Sequence, residues 1–286
     1  MSIQGKNFIK FLNDHFDKND SFHLNEPKFC GNEKKYVLGS IDSTFVSSVG
    51  KEINILEENI SSYTKNKFSL ACVNGTSALH ISLKIAGVSQ GDEVITQALS
   101  FVATANSISY LNAIPIFIDV DIDTMGMSPV ALEEFLENNV ELREDGSYNK
   151  KTRRKISACL PMHTFGFVCR IDQIMKICKK WKINLVEDSA EAFGSKYKGI
   201  SAGKFGLLSA YSFNGNKIIT SGGGGCIVTQ NNDLYNRAKH IITTAKSSKN
   251  WEFIHDELGY NYRMPNLNAS LLLGQLEQID NKIKSK

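Results

Sequence analysis

The strongest constraint on the fold is a repeated alternation of short apolar runs with segments of helical periodicity. FSLACV at residues 68–73 is followed, after a glycine break, by SALHISLKIAG. The same order returns in DEVITQA and SFVATANSISYLNA, in PIFIDVD and SPVALEEFLENN, and in KISACLPMH and DQIMKICKKWK, and INLVEDSA begins another cycle. Strands that alternate with helices pair in parallel through helical crossovers. The pattern therefore predicts an α/β fold, with a mostly parallel sheet flanked by helices.

The remaining segments complete this outline. Residues 41–64 predict a helix after an extended, charged lead-in, and LLSAYSF at 207–213 and GGCIVTQ at 224–230 predict hairpin-like strands that extend the sheet. NDLYNRAKHIITT and NASLLLGQLEQIDNKIKSK then predict helices. We expect an N-terminal arm at 1–40, which opens with a short amphipathic helix, and one large domain at 41–286.

Composition excludes several classes of function. A net charge of +3 is too small to indicate nucleic-acid binding, and the basic run KKTRRK at 150–155 follows polar sequence and predicts an exposed loop. The six cysteines form no CxxC pair, so neither a zinc site nor a disulfide framework is expected. There is no signal-peptide pattern and no apolar run of the roughly 18 residues that a membrane span needs. We expect a cytoplasmic protein without metal or membrane contact.

Ligands of open α/β sheets collect at the carboxyl ends of the strands, so the residues that follow each strand are the candidates for chemistry. In VNGTSALH, a predicted strand passes through Gly75 into a helix whose first turn holds Thr76 and Ser77. Free N–H groups and the positive end of the helix dipole make such a turn a phosphate site. An ordinary glycine turn with a Ser/Thr cap is the alternative.

Two charged groups follow later strands. The strand INLVED ends in Asp188, three residues before Glu191, and a carboxylate at a buried strand end needs a cation or donor unless it only caps a helix. Lys217 lies in YSFNGNKIITSGGGG, where desolvation can favour the neutral amine that Schiff-base chemistry requires. The alternative is a surface lysine. The glycines beside it would let backbone and a flat ligand approach closely.

Phe101 follows the strand DEVITQA and is either a core residue or a stacking platform. Together, a phosphate cradle, a carboxylate, a lysine and an aromatic face at one edge of one sheet are what pyridoxal 5′-phosphate requires. Its phosphate needs a helix terminus, its aldehyde a lysine, and its ring nitrogen an acid. A nicotinamide dehydrogenase is disfavoured, because GxGxxG is absent after the first strand.

The sequence resembles the DegT/StrS-type sugar aminotransferases, which are fold-type I enzymes dependent on pyridoxal phosphate. The matching segments run in the family's order from about residue 25 to residue 280: NGTSAL, SFVATAN, IPIFIDVDIDT, HTFG, VEDSAEAFGS, YSFNGNKIITSGGGG and LGYNYRMPNLNASLLLGQLE. NEKKYVLGSIDSTFVSSVG, the Glu-Asp-x-Ala-Glu order and SFNGNK look most like enzymes that aminate C4 of a UDP-4-keto-6-deoxy-N-acetylhexosamine, in bacillosamine and legionaminic acid pathways.

The resemblance implies roles for single residues. Lys217 matches the Schiff-base lysine, Asp188 the partner of the pyridine nitrogen and Phe101 the aromatic that stacks on the ring. The implied phosphate contacts are Thr76, Ser77 and Ser212. Asn261 matches an asparagine given to the neighbouring subunit's phosphate, which implies a homodimer. Glu191 falls where the family has a polar residue near the ring, and His163 in HTFG matches a recurrent position to which we assign no chemistry.

The implied reaction transfers an amino group from glutamate to the sugar ketone, with Lys217 moving the proton. Family members continue past the QLEQID helix into a carboxyl-terminal lobe, so the resemblance leads us to expect that this chain lacks the small lobe. Two other functions fit the motifs: a catalytically silent protein of the same fold, and a pyridoxal-phosphate-dependent sugar dehydratase. The dehydratases replace the Schiff-base lysine, so Lys217 argues against the second.

Overall fold

The computed structural model describes residues 2–16, 25–247 and 252–285. Across these residues, nine strands form one mixed sheet and two more form a small hairpin. The helices are α1 (Ile3–His15), α2 (Glu33–Asp42), α3 (Lys51–Thr64), α4 (Gly75–Ile85), α5 (Val102–Ser109), α6 (Pro129–Asn139), α7 (Ile171–Lys180), α8 (Asn232–Ile242), α9 (Asn266–Leu276) and α10 (Ile279–Lys284). The strands are β1 (Phe68–Cys72), β2 (Glu93–Gln97), β3 (Ile114–Ile118), β4 (Val140–Arg143), β5 (Gly146–Asn149), β6 (Lys155–Leu160), β7 (Asn184–Asp188), β8 (Lys196–Tyr197), β9 (Ile200–Ser201), β10 (Leu208–Ser212) and β11 (Gly225–Thr229).

The large sheet has the order β1-β11-β10-β7-β6-β2-β3, and the β4–β5 hairpin pairs with β6. Neighbouring strands from β10 to β3 are parallel, whereas β11 is antiparallel to both β10 and β1. Strand β1 therefore points the same way as β10, and the carboxyl ends of β1, β10, β7, β6 and β2 meet at one edge. The predicted α/β class and the mostly parallel sheet are confirmed.

Helices cover both faces of the sheet, as alternation along the strands requires. In β1, Leu70 packs into a core with residues of α4 and α8, whereas the next residue, Ala71, packs into a second core with α3 and α9. A third core lies between α6, α7 and the β2–β6–β7 part of the sheet. Burial on both faces fixes the strand register, because a shift by one residue would exchange the two cores.

Two predicted segments differ from the structure. The helix expected at 41–64 is two helices, since α2 ends at Asp42 and α3 begins only at Lys51. The strand–helix cycle that INLVEDSA begins is not completed, since the described chain has the β8–β9 hairpin and no helix between β7 and β10. Positive φ angles of 90° at Gly194 and 82° at Gly199 are incompatible with a continuous helix there.

The amino-terminal segment contains the predicted amphipathic helix. The Ser2 side chain caps α1 by accepting a hydrogen bond from the Gly5 N–H, and α1 has no buried residue. The predicted arm boundary at residue 40 lies inside α2, which packs against α9. Residues 150–154 of the basic run form the expected exposed turn, and Lys155 begins β6. Within the described residues, no helix has the length and apolar character to cross a membrane.

Candidate active site

The turn from β1 into α4 forms one wall of a cavity at the carboxyl edge of the sheet. The Asn74 side chain caps α4 by accepting a hydrogen bond of 2.7 Å from the Ser77 N–H. A Cβ atom on Gly75 would lie 2.8 Å from the Cβ of Ser212, so glycine is needed for this turn to approach β10. Gly75, Thr76 and Ser212 all line this cavity, and the close approach of Gly75 to Ser212 places the start of α4 beside the end of β10.

The glycines after Lys217 serve the protein's own packing. A Cβ on Gly225 would lie 2.4 Å from the carbonyl oxygen of Asn74, and one on Gly224 would lie 2.3 Å from the Ser221 hydroxyl. These contacts allow β11 to begin directly beside the β1–α4 turn. At position 225 the chain itself fills the space that we expected these glycines to leave for a flat ligand, whereas Gly224 lines the cavity.

Asp188 ends β7 inside the sheet and is 2% exposed. Its Oδ2 accepts a hydrogen bond of 2.6 Å from the Thr104 hydroxyl of α5, and its Oδ1 accepts one of 3.1 Å from the Ala190 N–H. Burial raises the pKa of this carboxyl, although these two donors and the charges of His163 and Lys217 lower it. The hydrogen bonds to this carboxyl group therefore come from neutral donors. Neither His163 nor Lys217 donates a hydrogen bond to it.

Lys217 lies in the loop between β10 and β11, with its side chain 14% exposed. Its Nζ is 3.0 Å from Oε1 of Glu191, whose Oε2 accepts a hydrogen bond of 2.9 Å from the Phe165 N–H. The loop is fixed by hydrogen bonds from Thr220 and Ser221 to the Phe213 carbonyl. Lys217 is therefore held in the cavity and is not a solvated surface lysine.

The cavity has a volume of about 330 Å³ and brings most of the predicted residues together. Those lining it are Gly75, Thr76, Phe101, Asp188, Glu191, Ser212 and Lys217. Phe101 precedes α5 with 68% of its side chain exposed, so it is not a core residue. Ser77 is buried behind the cradle and does not line the cavity. Asn261 is exposed outside it, on a segment that bridges to Thr243.

Sequence reasoning did not identify several other residues of the site. Thr104 donates a hydrogen bond to Asp188, and Met162 pairs with Asp188 in a β-bridge. Both residues are far from Asp188 in sequence, so only the fold brings them together. The Asn74 cap is a local signal that could have been found, because asparagine directly before a helix start is a preferred cap. Asn214 and Asn216 also line the cavity, at the start of the lysine loop.

His163 is fully buried behind β7, and its Nε2 lies 3.1 Å from Oε2 of Glu187. Glu187 also accepts hydrogen bonds from the N–H groups of Gly203, Phe205 and Gly206. Burial opposes a charge on the imidazole, but Cys169 and Glu187 raise the pKa of His163 to about 10. The HTFG histidine therefore belongs to a buried ionic cluster that supports the sheet edge.

The sheet order, the helices on both faces and the cavity at the carboxyl edge define the large domain of a fold-type I, pyridoxal-phosphate-dependent aminotransferase. The chain belongs to the DegT/DnrJ/EryC1/StrS aminotransferase family, whose model matches residues 28–286. This family depends on pyridoxal phosphate, and its enzymes include sugar aminotransferases. The predicted family and its dependence on pyridoxal phosphate are therefore confirmed.

Two relatives and one solved structure give the extent of the similarity. A GDP-perosamine synthase of Escherichia coli O157:H7 is 39% identical over 261 residues, which cover 91% of this chain and 67% of that protein. The putative pyridoxal phosphate-dependent aminotransferase EpsN of Bacillus subtilis (strain 168) is 34% identical, with coverages of 92% and 65%. Helicobacter pylori PseC, an aminotransferase involved in the biosynthesis of pseudoaminic acid, superposes with a TM-score of 0.81 at 27% identity, with coverages of 92% and 67%. The chain thus spans about two thirds of the length of these proteins.

Proposed function

We propose that this protein binds pyridoxal 5′-phosphate through Lys217 and transfers an amino group to a nucleotide-linked keto sugar. The observation that carries the proposal is the placement of the Lys217 amine in a cavity that also holds the buried Asp188 and the amino-terminal turn of α4. These groups come from three separate strand ends, so the fold itself assembles them.

The residues present fit the cofactor. A cavity of about 330 Å³ lies in the usual range for small-molecule sites. The α4 terminus offers N–H groups and hydroxyls to a dianion. Asp188 is buried with hydrogen bonds from neutral donors alone, and a protonated ring nitrogen is the kind of partner that such a carboxylate needs.

Each side chain then has a distinct task. The Thr76 and Ser212 hydroxyls and the cradle around Gly75 hold the phosphate, with Ser77 supporting the turn from behind. Phe101 would cover one face of the ring, and Asp188 would keep the ring nitrogen protonated. When bound, pyridoxal phosphate supplies an aldehyde and an electron sink for charge that develops on carbon. The Lys217 amine would attach the cofactor through its aldehyde and, once released, would move a proton between the amino-acid carbon and the cofactor carbon.

The finer part of the proposal concerns substrates and assembly. We propose glutamate as amino donor and a UDP-4-keto-6-deoxy-N-acetylhexosamine, aminated at C4, as acceptor, on the strength of the Glu-Asp-x-Ala-Glu and SFNGNK segments. The relatives named for GDP-perosamine support the coarser class of nucleotide sugars. The exposed position of Asn261 outside its own cavity supports a homodimer in which each chain gives this side chain to the other.

Cofactor binding is tested by adding pyridoxal phosphate to the purified chain, reducing with borohydride and locating the adduct by peptide mass spectrometry. We expect a near-visible absorbance band and a label on Lys217. The Lys217→Ala variant should lose both, whereas Lys204→Ala, a change at an exposed lysine of another loop, should keep them. A folded chain without any adduct would refute the proposal and favour a silent protein of the same fold.

The acceptor is tested by incubating the loaded protein with glutamate and either the UDP-linked or a GDP-linked 4-keto-6-deoxy sugar. Mass spectrometry then detects the exchange of a carbonyl oxygen for an amine. Product from the UDP sugar supports the finer proposal. Product from the GDP sugar alone would reject the UDP-linked acceptor but would still support a sugar aminotransferase.

A further inference from the structure

The Lys217–Glu191 pair lies at the boundary between two spaces. Lys217, Glu191 and Asn216 line the 330 Å³ cavity and also a neighbouring chamber of about 890 Å³. The other side of that chamber includes the apolar side chains of Phe165 and Phe167. The ion pair therefore forms part of the wall of both spaces.

Glu191 makes two different contacts with its two oxygens. Oε1 lies 3.0 Å from the Lys217 ammonium, and Oε2 accepts the Phe165 N–H at 2.9 Å. The lysine and glutamate side chains are 14% and 27% exposed, so water screens this pair less than a surface pair. The carboxylate thus joins the lysine loop to the turn that follows β6.

That turn has little freedom to move away from Glu191. Phe165 has a φ of 54°, in the left-handed region that a bulky residue rarely adopts, although its side chain is 68% exposed. Gly166 has a φ of 85°, and a Cβ there would lie 2.8 Å from the Glu191 carbonyl oxygen. The aromatic turn therefore packs on both the backbone and the carboxylate of Glu191.

We propose that Glu191 is a positioning residue that holds Lys217 as an ammonium ion in the cofactor-free chain and ties it to the Phe165 turn. An ammonium is not a nucleophile, since attack on a carbonyl requires the free amine. Capture of the cofactor therefore requires the Lys217 ammonium to release a proton to solvent, and the amine then replaces the aldehyde oxygen, which leaves as water. Loss of the charge on Lys217 ends the ion pair and leaves one carboxylate oxygen of Glu191 without its cation. The cofactor part of this inference rests on the proposed function, but the ion pair can be tested without any cofactor.

The test measures the reactivity of Lys217 toward trinitrobenzenesulfonate in the cofactor-free protein, by peptide mass spectrometry across a range of pH. The charged groups near the amine are Glu191, at hydrogen-bond distance, and Asp188 at longer range. Glu191→Gln keeps an acceptor for the Phe165 N–H but removes the charge. We expect its labelling midpoint to move to lower pH and its reactivity near neutral pH to rise roughly tenfold, the factor that about 1.4 kcal/mol of lost charge pairing produces.

Two variants separate the charge from a general loosening of the site. Glu191→Asp keeps the carboxylate and should leave the midpoint close to that of the unchanged protein. Glu133→Gln makes the same chemical change at the exposed pair with Lys180 and should leave Lys217 unaffected. A higher maximal rate in Glu191→Gln at an unmoved midpoint would mean loosening alone and would overturn the inference.

Borohydride trapping with pyridoxal phosphate on the same variants distinguishes this inference from the proposed function. Faster capture near neutral pH by Glu191→Gln supports both. A shifted labelling midpoint without any cofactor adduct supports the ion pair and rejects the cofactor site. An unchanged midpoint together with normal adduct formation rejects the role of Glu191 and leaves the proposed function standing.

Discussion

The buried carboxyl group of Asp188 makes the free energy of unfolding depend on pH. Its folded-state pKa lies above the ordinary value of 3.8, chiefly because of burial. Between 3.8 and the raised pKa, the folded chain binds more protons than the unfolded chain, so the free energy of unfolding falls as pH rises through this window. An ionised Asp188 at neutral pH therefore costs stability in the absence of cofactor.

We accordingly expect Asp188→Asn to stabilise the cofactor-free chain at neutral pH, and to remove the fall in its stability as pH rises above the ordinary aspartate pKa of 3.8. The amide still accepts the Ala190 N–H and can donate to the Thr104 hydroxyl. The same variant should bind pyridoxal phosphate at least roughly tenfold more weakly, because a charge-assisted hydrogen bond is lost. Denaturant unfolding at several pH values and a cofactor titration measure the two effects; a destabilised variant would contradict the assigned burial cost.

Gly75 supplies a second prediction at this scale. Gly75→Ala places a methyl group 2.8 Å from the Ser212 Cβ, which should destabilise the chain by about 1–3 kcal/mol. Replacing Ser212 with glycine removes the contacting atoms, so the double variant should recover part of the loss. Urea unfolding of the single and double variants measures the coupling, and strictly additive losses would show that the contact is not the cause.

Sequence predicted single residues better than it predicted their partners. Lys217, Asp188 and Phe101 can be selected from their positions after predicted strands and from the family resemblance, and all three line one cavity. The pairing of Lys217 with Glu191, and of Thr104 with Asp188 across 84 residues, depends on which strands lie side by side. Strand order is set by tertiary packing and is not written in the local sequence, so these contacts could not be read from it.

At the scale of elements, α2 packs against α9, and two glycines have opposite roles in this helix pair. A Cβ on Gly274 of α9 would lie 2.7 Å from the Glu33 backbone nitrogen, whereas one on Gly39 of α2 would meet no atom within 4 Å. The first glycine permits the close approach, and the second only weakens its helix.

Alanine at the two positions should therefore have opposite effects on stability. Gly274→Ala should destabilise by about 1–3 kcal/mol despite its better helix propensity, because backbone atoms would have to separate. Gly39→Ala should stabilise by roughly 0.5–1 kcal/mol. Thermal and denaturant unfolding measure both, and effects of the same sign would contradict the packing assigned to this helix pair.

Prediction of elements succeeded where periodicity was continuous and failed where turns dominate. The runs that became β1, β2, β6, β7, β10 and β11 are apolar and short, and both faces of these strands are largely buried. The cycle that INLVEDSA begins does not continue into a crossover helix, because left-handed glycines at 194 and 199 favour the β8–β9 hairpin. The break at 43–50 depends on the approach of Gly50 to Asn266, a contact over 216 residues.

At the scale of the whole molecule, the proposed homodimer makes a prediction about shared sites. Asn261 is exposed and does not line its own cavity, yet the segment that carries it is fixed to the end of β1 by a hydrogen bond from the Val73 N–H to the Tyr262 carbonyl. If Asn261 of the partner subunit completes each phosphate site, then Asn261→Ala should weaken cofactor binding about tenfold.

Mixed dimers test that exchange directly. Lys217→Ala and Asn261→Ala chains are each expected to trap little cofactor alone. In a mixed dimer, the chain that retains Lys217 receives an intact Asn261 from its partner, so one of its two sites is restored. Random association makes about half of the dimers mixed, so borohydride trapping should recover about a quarter of the sites. An asparagine that acted within its own chain would restore none, and recovery no greater than the sum of the separate variants would refute the shared site.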